Sequence, residues 1–208
     1  MDVLMSIADK YNLFIVEDAA QAIDSFYKGK PLGSIGHLST FSFHETKNIQ
    51  CGEGGLLAIN DEQFIERAEI IWEKGTNRSA FFRGEVNKYG WVDIGSSYLV
   101  SDISAAYLFA QLESAELINT DRLATWNIYF DQLQSLEQAG HVVLPQVPHE
   151  CLHNAHMFHL RVSSLAIRTA LIAHLEAQGI AAVFHYLPLH KSKAGKKFGH
   201  FVGDDSHT

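Results

Sequence analysis

Leu13-Phe14-Ile15-Val16-Glu17-Asp18-Ala19-Ala20-Gln21 and His37-Leu38-Ser39-Thr40-Phe41-Ser42-Phe43-His44-Glu45-Thr46-Lys47-Asn48 carry the architecture of this chain. The first is a short apolar, partly β-branched run that ends in two acids, and it predicts a strand over 13–17. The second alternates weakly from His37 to Phe43 before a polar loop, which predicts another strand. Ligands of α/β sheets gather beyond the carboxyl ends of the strands. If the two strands run parallel, Asp18 and Lys47 reach the same ligand.

Outward from these strands, residues 2–11 read as a helix and Tyr27-Lys28-Gly29-Lys30-Pro31-Leu32-Gly33 as a hairpin-like excursion. Gly54-Gly55 precedes a strand over 56–59, and Asn60-Asp61 can cap a helix over 62–73. Residues 75–98, rich in glycine, polar and aromatic residues, read as a long loop. Ser101-Asp102 caps an apolar helix over 103–117, and a second helix over 119–138 places Leu123, Trp126, Tyr129, Phe130 and Leu133 at its apolar positions. Strands over 142–145, 157–162 and 180–186 and a helix over 166–178 then make a small α+β domain.

A lysine and a carboxylate at adjacent strand ends match the needs of pyridoxal 5'-phosphate. The lysine holds the cofactor as a Schiff base, and the carboxylate keeps its pyridine nitrogen protonated so that the ring can take up carbanion electrons. Taken singly, Asp18 as a local cap and Lys47 as a solvated lysine is the ordinary alternative. The motifs around them decide against it.

Glu17-Asp18-Ala19-Ala20-Gln21, Phe41-Ser42-Phe43, Thr46-Lys47-Asn48 and Gly52-Glu53-Gly54-Gly55 stand in the order of the DegT/DnrJ/EryC1/StrS sugar aminotransferases, and the chain resembles that family. The resemblance continues through Glu73-Lys74-Gly75-Thr76-Asn77-Arg78, Phe81-Phe82-Arg83-Gly84 and Asp93-Ile94-Gly95-Ser96-Ser97-Tyr98. It implies an α/β fold: part of the fold-type I large domain over 1–118, then a connecting helix and an incomplete small α+β domain over 119–208. It implies Lys47 as Schiff-base lysine and proton shuttle, Asp18 at the pyridinium nitrogen, Gln21 at the cofactor ring and Ser42 at the phosphate. Many members carry an asparagine, reaching the neighbouring subunit's cofactor phosphate, where this chain has Ser97; serine can donate there but reaches less far. Dehydratases of the family replace the lysine by histidine, so Lys47 favours transamination. The implied reaction moves an amino group from L-glutamate to the 4-keto carbon of a dTDP-4-oxo-6-deoxy-D-glucose sugar nucleotide, in enterobacterial common antigen or other cell-surface polysaccharide synthesis. The implied assembly is a homodimer with a shared active site. Against the family pattern both ends read as truncated, including part of the phosphate cradle. An inactive fragment, or a relative that binds cofactor or sugar without turnover, is therefore the rival reading.

Composition agrees with a globular protein acting on small molecules. The 208 residues are 47% hydrophobic, enough for a core, and the formal charge of -8 disfavours nucleic-acid or acidic-membrane surfaces. No transmembrane run or signal-peptide layout is present in the sequence, and a cytoplasmic location is expected. Cys51 and Cys151 lack metal spacing and fit a reducing compartment. Cys51-Gly52-Glu53-Gly54-Gly55 lacks nucleotide-loop spacing. His153, His156 and His159 tempt a metal reading, but an extended segment points the middle ring away from the outer two, so no metal site is expected. His185 and His190 lie in the region that the resemblance brings toward the sugar nucleotide, and the lysines at 191, 193, 196 and 197 read as a solvated basic stretch.

Overall fold

The computed structural model describes residues 1–203. Helix α1 (Asp2–Tyr11) ends at Asn12, whose φ of 53° is a left-handed cap that turns the chain into β1 (Val16–Asp18). Strand β2 (Phe26–Tyr27) and β3 (Lys30–Pro31) form the hairpin, with Lys28 and Gly29 both at positive φ, as a tight two-residue turn demands. Strands β4 (Leu38–Ser42) and β5 (Gly55–Ile59) come next along the chain. The first sheet has the order β1-β4-β5, with β1 parallel to β4 and β5 antiparallel to β4. The parallel pairing sets Asp18 opposite Thr40 and brings two carboxyl ends to one side.

Beyond β5, Asp61 accepts from the Gln63 amide and starts a single 3-10 turn that runs into α2 (Ile65–Trp72). The stretch read as an irregular loop contains α3 (Arg78–Phe82) and packs back along α2. Ser96 N–H donates to Ile71 O, Lys74 N–H donates to Ser96 O, and Arg83 grips Glu69 with both terminal nitrogens. A Cβ on Gly75 would fall 1.7 Å from Asp93 O, and one on Gly95 2.2 Å from Gly75 N. The glycines that looked like loop filler are what lets two backbone segments touch.

Helices α4 (Asp102–Glu113) and α5 (Ala115–Gln138) break at Ser114, and Ser101 caps α4 by accepting from Ser104 N–H. Strand β6 (Cys151–Leu152) returns to β2 and completes a second sheet of order β3-β2-β6. Met1–Leu160 forms one compact unit, within which α5 is tied to 153–158. The Trp126 indole donates to Met157 O at 3.2 Å, stacks on Phe130 and meets Phe158 and His153 edge-on. The second unit begins at Arg161 and carries α6 (Leu165–Ala177) and α7 (Lys193–Phe198). Residues 180–186, expected as a strand, pair with no strand among the described residues, and 157–160 likewise lack a ladder. No helix is long and apolar enough to cross a membrane among those residues.

The core under the first sheet is Phe43, Ile49 and Cys51, flanked by Ile23, Phe41, Leu108, Ala115 and Ile118. Much apolar surface stays in solvent, including Leu56 and Leu57 on β5 and Ile103 and Phe109 on α4, the last two at 84% and 63% exposure.

Candidate cofactor site

The two acids that end β1 do different work. Glu17 is half-buried, and its carboxylate accepts from the backbone N–H of Gly33 at 2.9 Å, Ile35 at 2.7 Å and Gly36 at 2.6 Å. It holds the turn that delivers the chain to β4. Gly36 lies so close to β1 that a Cβ there would be 2.9 Å from Ile15 Cγ2. Asp18 is exposed and accepts only from Ala20 N–H, at 3.2 Å, which leaves its second oxygen without a bonded partner among the described residues. Ala19 N–H donates to Thr40 O at 2.9 Å, so the chain leaving β1 stays beside β4.

Ser42 is the last residue of β4, and its Oγ accepts from His44 N–H at 3.3 Å. The loop beyond it closes on itself: Cys51 N–H donates to Phe43 O at 2.8 Å and Glu45 N–H to Gly52 O at 2.9 Å. Phe43, Ile49 and Cys51 bury themselves beneath it, and burial, then the Glu53 charge, pushes the Cys51 thiol up. Lys47, half-buried, stands on this stapled loop. Its ammonium has no hydrogen bond or ion pair among the described residues.

A buried amide cluster, absent from the sequence reading, joins the pieces. Asn48 Nδ2 donates to Asn119 Oδ1 at 3.2 Å and to Asn154 O at 2.7 Å, and Asn154 Nδ2 donates to Gln21 O at 3.0 Å and Ile23 O at 2.7 Å. The Gln21 loop and the Lys47 loop are thus clasped to the same residue. Asn48, Asn119 and Asn154 are all buried, but they lie among polar neighbours in the sequence, so no local signal marks them.

Ser97 lies elsewhere, bridged to Glu73 at the end of α2 and exposed, with no hydrogen bond to the Asp18, Ser42 or Lys47 segments among the described residues. His185 and His190 are in the second unit, where His185 meets Tyr186 edge-on and His190 stacks on Phe201 at 4.1 Å. In the histidine array, His153 packs on Trp126 at 4.6 Å, while His156 Nδ1 meets Asn48 Oδ1 at 3.1 Å. Burial holds both rings below the ordinary histidine range, and for His156 the positive charges of Lys47 and Arg122 add to it.

A primary amine with no protein partner among the described residues, a carboxylate with a spare oxygen and a hydroxyl at the adjoining strand end are the donor set that pyridoxal phosphate requires. Known proteins point the same way. The DegT/DnrJ/EryC1/StrS aminotransferase family matches residues 1–200. The uncharacterized protein MJ1066 of Methanocaldococcus jannaschii is 34% identical, across 98% of this chain and 54% of that protein. DesV of S. venezuelae superposes with a TM-score of 0.82 at 30% identity, covering 98% of this chain and 51% of that one. The putative sugar aminotransferase Spr1654 of Streptococcus pneumoniae in its PLP form superposes at 0.75 with 28% identity, over 93% of this chain and 49% of its own. This chain therefore spans about half the length of the relatives it matches. Over that span it has the fold-type I α/β architecture, and it belongs to the DegT/DnrJ/EryC1/StrS aminotransferase family.

Proposed function

We propose that this chain carries the cofactor-holding half of a sugar-nucleotide aminotransferase, with Lys47 as the covalent anchor. The supporting observation is the parallel β1–β4 pair, which ends Asp18 and Ser42 on one side of the sheet below the stapled Lys47 loop. Pyridoxal phosphate, when bound, supplies the electron sink for breaking a C–H bond next to nitrogen. Asp18 offers the carboxylate that favours a protonated ring nitrogen, Ser42 a hydroxyl for the phosphate, and Gln21 a contact to the ring. Released from its covalent role, the Lys47 amine takes a proton from one carbon and returns it to another.

The substrates we assign are L-glutamate as donor and a dTDP-4-oxo-6-deoxy-D-glucose nucleotide as acceptor, in cell-surface polysaccharide synthesis such as enterobacterial common antigen. His185 and His190 are assigned to the sugar-nucleotide side. The working form is a cytoplasmic homodimer in which Ser97 serves the partner's cofactor phosphate. Incubation of the cofactor-loaded protein with labelled glutamate and the keto-sugar nucleotide tests this. Transfer of label to the sugar, lost in Lys47→Ala, is expected; transfer that survives Lys47→Ala sinks the assignment.

A second reading, an inactive or non-catalytic chain, is favoured by one observation. The three-stranded sheet has both edges open among the described residues, and Leu56, Leu57, Ile103 and Phe109 are exposed. Aggregation of the purified chain, with no amino transfer, would support that reading.

A further inference from the structure

We infer that Asn48 and His156 are positioning residues for Lys47: Asn48 pins the peptide that carries the lysine, and His156 completes Asn48's bonding as an Nδ1–H imidazole. The inference rests on the reading of Lys47 as the cofactor-holding amine. The proton positions are fixed by the two ends of a hydrogen-bond chain. At one end Asn119 Nδ2 donates at 3.0 Å to Asp24 Oδ2, an oxygen that as carboxylate only accepts. Asn119 therefore presents Oδ1 to Asn48 Nδ2. At the other end the acceptor is the backbone carbonyl of Asn154, 2.7 Å from the same nitrogen. Both amide protons of Asn48 are spent on these two acceptors, so its Oδ1 accepts, and the group 3.1 Å away that must donate is His156 Nδ1. Asn154 Oδ1 accepts from His156 N–H at 3.1 Å, so the histidine is held by both backbone and ring.

Asn48, Asn119 and Asn154 are 6%, 3% and 3% exposed, so water cannot replace a lost partner and the peptide beside Lys47 has one arrangement. Charge adds a second effect. The groups that act on the His156 ring are Asn48 and Lys47 of the loop and Arg122 of α5, whose Nη2 donates to His156 O at 2.7 Å. Burial first, and then the charges of Lys47 and Arg122, favour the neutral ring, which adds no further positive charge beside the lysine amine. The neutral Nδ1–H form keeps a lone pair on Nε2.

The test uses the 208-residue chain without cofactor. Long-range 1H–15N spectra of histidine-labelled protein, assigned with His156→Gln, are expected to place the His156 proton on Nδ1 at neutral pH. In Lys47→Gln the His156 titration midpoint should rise, because removing a neighbouring cation favours imidazolium. A proton on Nε2, or a midpoint unmoved in Lys47→Gln, overturns the inference, and a histidine that only packs gives the second result. Asn48→Ala should weaken pyridoxal phosphate retention on Lys47 about tenfold or more, since it strands buried partners, whereas His156→Asn, whose amide nitrogen takes the place of Nδ1 and still donates to Asn48, should stay within about threefold. Should Asn48→Ala not fold, Asn119→Ala removes one acceptor and makes the same test. An adduct formed equally by wild type and Asn48→Ala overturns the positioning role alone. If the wild type forms no adduct at all, the cofactor reading fails instead, and the spectra alone decide the tautomer.

Discussion

Glu17→Ala removes the carboxylate that the Gly33–Gly36 turn meets through three backbone donors. Gly33 and Gly36 are buried, so two of the freed N–H groups have no easy route to water. A buried donor left unpaired costs about 1–3 kcal/mol, and two such groups give a loss of roughly 2–6 kcal/mol. Glu17→Gln should lose less. Its Oε1 can still accept from Ile35 and Gly36, while its Nε2 confronts only the Gly33 donor. Urea unfolding followed by circular dichroism ranks the three proteins, and hydrogen exchange at residues 33, 35 and 36 locates the effect. Wild type above Gln above Ala, with exchange accelerated at those three amides first, is expected. An Ala variant within about 0.5 kcal/mol of wild type, or unchanged exchange there, would refute the assignment of Glu17 as the turn's anchor.

Trp126→Ala should destabilise the first unit by about 3–5 kcal/mol, since the indole is buried among Phe130, His153 and Phe158; thermal unfolding measures it, and a loss below about 1 kcal/mol would contradict that packing. Cys51 should alkylate more slowly with iodoacetamide at pH 8 than Cys151, since burial raises its thiol and limits access; peptide mapping of the first-modified cysteine decides it. Stability should fall with pH below the ordinary histidine value of 6.5. His153 and His156 are depressed in the folded chain, so the unfolded chain binds more protons there, and the stability present above that value is lost as pH drops through it. A His153→Gln, His156→Gln double variant whose pH dependence stays as steep would point to other groups.

The sheet was readable because its signals are local: β-branched runs end at Asp18 and Ser42, Lys28-Gly29 makes a two-residue turn, and Asp61 and Ser101 cap the helical segments that begin just after them. The motif residues Asp18, Gln21, Ser42 and Lys47 are local in the same sense. Features that depend on distant partners were hidden. Glu17 looked equivalent to Asp18 until its bonds to residues 16–19 positions away separated them. The Asn48 cluster joins residues 71 and 106 positions apart, and no periodicity marks such pairs. The expected strands over 157–162 and 180–186 have suitable residues, but a strand also needs a continuous ladder with a neighbour: among the described residues 157–162 makes only a single bridge, at Arg161, and 180–186 pairs with no strand. α3 escaped notice because one helical turn in a glycine-rich stretch owes its stability to Arg83 on Glu69 and Glu85 more than to its own pattern.

The central claim is that Lys47 is the anchor for pyridoxal phosphate. Mixing the purified chain with the cofactor, reducing with borohydride and mapping modified lysines by mass spectrometry tests it directly. Modification on Lys47, in preference to exposed lysines such as Lys10 or Lys30, is the predicted result. Modification spread over surface lysines with Lys47 untouched would contradict the account.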